Sequence, residues 1–447
     1  MIFYAKIIKK EVYMTKIALV NHGCAKNLVD SELMLGILAE NGYEITLDDS
    51  DAEVCIVNTC SFIHDAEKES VDSILKLVDE GKKVIVTGCL PQKHKEELKE
   101  AIPEVVAMLG TTDFTEIAET VDKLLKDNDY ISNISEVPSY CYPEQVERQQ
   151  ITVGASSYIK IADGCNYNCG YCIIPKLRGK CHSRKIEDIV KEAKKLADKG
   201  VTEIVLIAQD TTSYGVDLYG KPTLPKLLEE LNKIDGIVWI RIMYAYPTFV
   251  NDELLDAIAN LDKVVKYIDL PLQHSNLDVL KSMCRPVEDY RKLVKNIRSK
   301  VKNIAIRTAF IVGYPGETEE QFEDLYKFIE DMKFDKMGVF EYSREKGTIS
   351  YAMKNQVPAK TKHARFKKLM ELQQRISAEN NAKFVGKTLP CIIEGFTDDG
   401  FVMARTQYDA PEIDGMVYIK TDKQVVPADI EEVKITSSSE YDLFGEI

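Results

Sequence analysis

The sequence predicts a multidomain α/β protein in three parts: an N-terminal parallel α/β domain, a central TIM-like β/α barrel, complete or partial, and a C-terminal small antiparallel β-barrel. Three observations carry this. The chain has 447 residues, too many for one core and enough for roughly three domains. Two separate runs of short apolar strands alternate with amphipathic helix patterns. From residue 384 onward the texture changes to short strands parted by Gly, Asp and Pro.

Taken in order, residues 1–13 read as a short extension ahead of Met14 and the strand TKIALVNHGC. The first domain, 14–130, pairs KIALVNHGC with the helix pattern SELMLGILAENG, then continues through EVCIVNTC and KKVIVTGCL, each followed by a helix. Short, wholly apolar strands are expected where helices cover both faces of a sheet. Three successive strands end in a cysteine: Cys24, Cys60 and Cys89. The carboxyl ends of neighbouring strands in an open α/β sheet share one edge, where ligands bind, so three thiols distant in sequence are expected to meet. Cys55, inside its strand, reads as a small hydrophobe.

Residues 131–153 are polar, carry Pro138 and Pro143, show no sustained period and read as a linker. Within 154–383 six strand patterns follow: SSYIKIADGC, TEIVLIAQD, VWIRIMYAYP, VVKYIDLPLQ, NIAIRTAFIVGYPG and KMGVFEYS, with a long charged helix at 359–383. Six βα units in a row predict the barrel, whose active site belongs at the carboxyl ends of the strands. In 384–447 the strands TLPCIIEGF, GFVMARTQ, GMVYIKT and IEEVKIT predict the small β-barrel.

The net charge of -14 argues against a general nucleic-acid binder, since phosphate affinity rests on clustered Lys and Arg. No apolar run reaches the roughly 18 residues of a membrane span, and the opening residues carry no secretory segment, so a cytoplasmic protein is expected. Eleven cysteines then point to metal or redox chemistry rather than a disulfide framework.

The strongest motif is GCNYNCGYC, with Cys165, Cys169 and Cys172 in CxxxCxxC spacing just after the first barrel strand. Three thiolates hold three irons of a four-iron cluster and leave the fourth open to an exogenous ligand. A structural zinc site is the alternative, but it wants four protein ligands, with Cys181 the nearby fourth. With Tyr171 before the last cysteine, the stretch resembles the signature of the radical S-adenosylmethionine enzymes. That resemblance implies a 4Fe-4S cluster whose open iron binds S-adenosylmethionine and yields a 5'-deoxyadenosyl radical.

An α/β domain with three scattered cysteines, a radical barrel and a terminal β-barrel, in that order, is similar to the methylthiotransferase family from about Thr15 onward, with a TRAM-like terminal module. The resemblance implies two 4Fe-4S clusters, the second held by Cys24, Cys60 and Cys89 for sulfur delivery, and an electron donor such as flavodoxin or ferredoxin. GCAKNLVDSE (23–32), CIIPKLRG (172–179), IAQDTTSYG (207–215), DLPLQH (269–274) and DAPEIDG (409–415) look like the RimO branch, which modifies the β-carbon of an aspartate in ribosomal protein S-twelve. The transfer-RNA branch, MiaB-like, is the rival and usually shows Ser and Gly after the Gln where this chain has Gln273 and His274. Charge points the same way. Residues 384–447 hold five basic and thirteen acidic side chains, a net of -8, suited to docking a basic ribosomal protein and ill suited to transfer RNA. A solvated face serving solubility is the bland alternative, and a non-enzymatic iron-sulfur scaffold is the distant one.

Other features carry less. Gly313 and Gly316 in IVGYPGETEE match a family motif that approaches the adenosine of S-adenosylmethionine, although a Gly- and Pro-containing run such as Gly-Tyr-Pro-Gly is also ordinary turn chemistry. The family's Gly-Gly-Glu element is absent, and Gln209 or Asp210 stands where its contact to the methionine amino group is expected. His274 reads equally as a proton carrier, a substrate contact or a hydrogen-bonded structural histidine. Lys176, Arg178, Lys180, Arg184 and Lys185 either balance cluster charge or face solvent.

Overall fold

The computed structural model describes residues 15–61, 64–127, 129–151 and 154–447, so the expected extension at 1–13 lies outside the described residues. The chain divides into two compact units, one of residues 1–138 with 143–151, the other of 139–142 with 152–447.

The first unit is built on six parallel strands: β1 (Lys16–Asn21), β2 (Glu44–Thr46), β3 (Val54–Thr59), β4 (Lys83–Gly88), β5 (Ala107–Leu109) and β6 (Ile131–Asn133), in the order β2-β1-β3-β4-β5-β6. β3 is buried along its whole length, as its Val-Cys-Ile-Val sequence requires of a strand covered on both faces. The order reverses between β1 and β3, and such a switch point opens a crevice at the strands' carboxyl ends. Within the segment read as a linker, Ile131–Asn133 adds the edge strand β6, too short to show a period in sequence.

In the second unit, β7 (Ser156–Lys160) is followed by the short pair β8 (Ala162–Asp163) and β9 (His182–Ser183), then by β10 (Glu203–Ile207), β11 (Trp239–Ile242), β12 (Tyr267–Asp269), β13 (Ala305–Val312) and β14 (Lys336–Glu341). The sheets β11-β10-β7 and β12-β13-β14 are parallel and are joined by a bridge between Ile240 and Val264. The result is a partial barrel of six main strands in sequence order. Its core is aliphatic and aromatic, with Ile204, Leu206, Ile240, Ile268, Ile306 and Phe310 fully buried.

The terminal module is a closed barrel of β15 (Thr388–Phe396), β16 (Val402–Thr406), β17 (Val417–Lys420), β18 (Ile430–Ser438) and β19 (Leu443–Glu446). The fifth strand went unread because Leu-Phe-Gly-Glu is short and partly exposed. It pairs parallel to β17, so the barrel is antiparallel in four of its five pairings.

This module packs against the amino ends of the larger barrel's strands. Arg405 inserts there and binds Glu203, the first residue of β10, and Glu394 at 2.7 Å. Arg241 Nε donates to the same Glu203 at 2.7 Å. Burial alone would push the Glu203 carboxyl up, but Arg241 and Arg405 outweigh it and hold it down at about 2. Lys336, opening β14, pairs with Asp409 at 2.5 Å, and Tyr267, opening β12, donates to Asp414 at 2.7 Å. The opposite, carboxyl end of the strands is where the cluster loop lies.

Candidate functional site

In the first unit, strand register does most of the assembly. The Thr59–Gly88 pairing of β3 and β4 places Cys60 and Cys89 at the next positions of adjacent strands. On the other side, His22 N–H donates to Asn58 O at 2.8 Å and extends the β1–β3 pairing toward Cys24. Gly23 follows with φ +103°, and a Cβ there would stand 2.9 Å from Cys60 Cβ and 3.3 Å from its Sγ. Only glycine brings Cys24 so close to Cys60. Asn27 ties the edge together, donating to His22 O at 3.0 Å and Thr59 O at 2.9 Å. Cys24 immediately precedes the helix Ala25–Glu40 and Cys89 opens the helix Cys89–Ala101, so two of the three sulfurs sit at helix amino ends, which favour thiolate. Exposure falls from Cys24, exposed, through Cys60 to buried Cys89. Cys55 lies buried inside β3, its thiol pushed up to about 11 by burial, and belongs to the core.

In the second unit, the cluster loop follows β8. Cys165 N–H donates to Gly179 O at 3.0 Å and Cys172 N–H to Cys169 O at 3.0 Å, which coils the motif on itself. Gly170 N–H donates to Met283 O and its carbonyl accepts from Ser350 N–H, both at 2.8 Å. A Cβ on Gly170 would lie 2.6 Å from Tyr314 Oη, so the loop is pinned against its neighbours. Burial pushes the Cys165 thiol up to about 11 and that of Cys172 up to about 12, and the Cys169 sulfur pushes both the same way. The Cys169 sulfur is thus felt by both of the others, while among the described residues no group of three His, Cys, Asp or Glu side chains is arranged to hold a metal ion. By donor chemistry, three thiols fit a thiolate-binding iron cluster.

Asp163, just ahead of the loop, is fully buried. It accepts from Lys160 Nζ at 2.7 Å, Arg178 Nη1 at 2.7 Å and Gln209 Nε2 at 2.6 Å. Burial opposes its charge, but Arg178 and Lys160 prevail and hold it well below the usual carboxylate range. The bond to a carboxylate fixes the Gln209 amide orientation, since only the NH₂ end donates. Its Oε1 is buried and has no partner among the described residues. Asp210 differs: it accepts from Thr212 and Ser213 backbone N–H and from the Tyr167 hydroxyl at 3.1 Å. Of the two, Gln209 is the one with an acceptor to spare.

At Gly313 the glycine is explained by packing, because with φ +73° a Cβ would strike Lys362 Cγ at 2.1 Å. Glu317 holds this turn, accepting from Gly313 N–H at 2.8 Å and pairing with Arg365 at 2.7 Å. A Cβ on Gly316 meets nothing within 4 Å. His274 accepts at Nδ1 from Ser275 and Asn276 N–H, each at 3.0 Å, and burial pushes its pKa down to about 3. It is a neutral structural cap at neutral pH. In the basic run, Arg178 is spent on Asp163, and Arg184 binds Glu192 at 2.6 Å and stacks on Tyr142, whereas Lys176, Lys180 and Lys185 are exposed.

Two features beside the loop were not legible. Tyr167 and Tyr246 stack with ring centroids 3.9 Å apart, and the buried Arg285 guanidinium lies 4.2 Å over the Tyr246 ring. Nothing periodic marks Arg285 in Cys-Arg-Pro-Val; a lone basic residue before a proline is its only signal. A cavity of about 210 Å³ adjoins the loop, lined by Cys165, Tyr167, Cys181, Asp210 and Phe249, which gives Cys181 a place beside the motif that its spacing did not reveal.

Comparison with known proteins bears on the fold and the family. Residues 159–329 match the Radical SAM superfamily, 385–447 the TRAM domain and 16–110 the Uncharacterized protein family UPF0004. Among solved structures, the radical S-adenosylmethionine methyltransferase TsrM from Kitasatospora setae superposes with a TM-score of 0.55 at 13% identity, covering 72% of each chain. The cobalamin-dependent S-adenosylmethionine radical enzyme OxsB gives 0.53 at 14% identity over 81% of this chain and 61% of that one. These likenesses speak for fold. Fold and cluster loop together define a radical S-adenosylmethionine enzyme.

Full-length relatives narrow the class. The "Ribosomal protein uS12 methylthiotransferase RimO" of Thermoanaerobacter sp. (strain X514) is 46% identical over 97% of this chain and 100% of its own length. The proteins of that name from Clostridioides difficile (strain 630) and Geobacter sulfurreducens are 46% and 45% identical, each over 97% of this chain and 99% and 98% of their own. The chain belongs to the RimO methylthiotransferase family.

Proposed function

We propose that this protein is a radical S-adenosylmethionine methylthiotransferase that adds a methylthio group to the β-carbon of an aspartate in ribosomal protein uS12. What supports the reading is that one chain carries two cysteine triplets, Cys24, Cys60 and Cys89 at the carboxyl edge of the first unit's parallel sheet and Cys165, Cys169 and Cys172 in the loop after β8. Cys165, Cys169 and Cys172 would hold the 4Fe-4S cluster that works with S-adenosylmethionine, and Cys24, Cys60 and Cys89 a second one for sulfur delivery. The chemistry supplied at the first is a reductively generated 5'-deoxyadenosyl radical, competent to remove hydrogen from an unactivated carbon. Around it, the chain's residues bind and orient. The unpartnered Gln209 Oε1 would take the methionine ammonium, Tyr171 would pack beside the ligands, and the turn at Gly313 and Gly316, which Glu317 braces, would approach the adenosine. His274, neutral and capped, holds the loop after β12 without carrying protons.

The substrate assignment draws on the relatives' shared name and on charge. Glu394, Asp409 and Asp414 are spent at the junction with the barrel. Residues 384–447 still keep ten other acidic side chains against four lysines. That surplus suits a basic ribosomal protein and repels phosphate. A one-electron donor of the flavodoxin or ferredoxin class would supply the reducing equivalents. Among the described residues no helix is long and apolar enough to cross a membrane.

The test is anaerobic incubation of the reduced, iron-loaded chain with S-adenosylmethionine and either uS12 or transfer RNA, followed by mass spectrometry of both. Methylthio mass on the uS12 aspartate alone is the expected result. The same mass on an adenosine of transfer RNA would overturn the substrate, and no 5'-deoxyadenosine in either arm would overturn the enzyme.

A further inference from the structure

We infer that Arg285 is the buried counter-cation of the cluster held by Cys165, Cys169 and Cys172, and that its charge sets how readily that cluster accepts an electron. This rests on the ligand reading above. The starting point is a buried charge with no carboxylate in ion-pair reach among the described residues. Arg285 is 7% exposed, and the groups acting on it most strongly are tyrosines and a sulfur. One nitrogen donates to Pro271 O at 2.6 Å, the guanidinium covers Tyr246, and Nε–H has no acceptor among the described residues. Guanidinium does not deprotonate in proteins, and a buried cation without a counter-charge is costly.

The groups that do act on it are aromatic hydroxyls and sulfurs. Burial works against the Arg285 charge, while Tyr171, Tyr246, Cys169 and Tyr290 favour it. The guanidinium lies 4.2 Å over the Tyr246 ring, which stacks at 3.9 Å on Tyr167, a residue of the loop between Cys165 and Cys169. The negative charge this packing offers Arg285 is that of the loop's sulfurs once they hold a cluster. A four-iron cluster on three thiolates carries one net negative charge, and one electron from an external donor adds a second without making or breaking a bond. A cation beside it stabilises the reduced form more than the oxidised one.

The backbone holds Arg285 in place. Cys284 adopts φ +54°, an uncommon conformation for a residue other than glycine, and such strain concentrates where position matters. Arg285 N–H donates to Leu280 O at 2.9 Å, and Met283 O receives the Gly170 N–H of the cluster loop itself. Arginine and ligands are thus tied through one short stretch of chain.

The test is redox titration of the full-length, anaerobically reconstituted chain carrying C24A, C60A and C89A, so that one cluster reports, with iron content and the reduced-state electron paramagnetic resonance signal verifying loading. R285Q should lower the reduction equilibrium constant at least tenfold, about 59 mV for one electron, while R285K stays within about threefold of its parent, less than half that shift in potential. An R285Q potential equal to the parent's, or an R285K drop as large as that of R285Q, would overturn the proposal. Should R285Q load no cluster, loading and an unshifted potential in R285K support the charge requirement, and loss of loading in R285K overturns it. A parent that takes up no iron refutes the ligand reading instead, before any Arg285 variant is measured.

Discussion

The two cysteine triplets reach one kind of donor set by opposite routes. Cys165, Cys169 and Cys172 lie within a single coiled loop, and the surrounding barrel only buries and pins it. Cys24, Cys60 and Cys89 are drawn to one edge of the sheet through the β3–β4 register and the Gly23 turn, with helices beginning at Cys24 and Cys89. The burial differs chiefly at one cysteine: Cys165, Cys169 and Cys172 are all half-buried or buried, while in the other triplet Cys24 is exposed beside half-buried Cys60 and buried Cys89. A shielded site suits a reactive radical that water would quench, and an open one suits exchange of an external sulfur ligand.

The sharpest break in that comparison comes from the barrel ligands. Changing Cys165, Cys169 or Cys172 to Ala should reduce 5'-deoxyadenosine release to background by chromatography, with methylthio product lost as a consequence. The same change at Cys24, Cys60 or Cys89 should abolish methylthio product while 5'-deoxyadenosine release continues. Loss of both products from the second set would show that the triplets do not act separately. A finer cut spares the ligands: Gly23→Ala crowds Cys60 and strains a φ of +103°, so iron content should fall toward that of one cluster, with the barrel signal kept.

Smaller effects probe the scaffold. Arg405→Ala leaves Glu203 buried beside Arg241 alone and should cost about 3–5 kcal/mol of the second unit's stability in denaturant unfolding. Smallest is the pH response of His274, whose folded pKa of about 3 lies below its ordinary value. The unfolded chain takes the proton first, so the stability this group permits is complete above pH 6.5 and declines as pH falls toward 3. Between pH 6.5 and 5.5 the loss should be about 1 kcal/mol, and His274→Gln should remove that increment from the unfolding curve.

Much of this was legible because it is local. CxxxCxxC sets its own loop, and strand-ending cysteines in a parallel sheet share an edge whichever order the strands take. The choice between Gln209 and Asp210 was not legible, because it turned on which neighbour had already used each side chain's hydrogen-bonding capacity. Nor was the fate of Arg178 and Arg184, where two of the five residues of an apparently uniform basic run proved to be buried in ion pairs. β19 and β6 escaped because three or four residues carry too little period to read.

By itself, then, the sequence determined the parallel α/β sheets, the terminal β-barrel and the placing of cysteines after successive strands, since spacing and hydrophobic alternation act over a few residues. Only the tertiary structure decided that the acidic module seats Arg405 on Glu203, 202 residues earlier in the chain, and that Arg285 is buried near the CxxxCxxC loop with no carboxylate in ion-pair reach among the described residues. Such pairings follow from which surfaces meet when the chain collapses. A buried charge takes its meaning from its neighbours, and those are chosen by the fold.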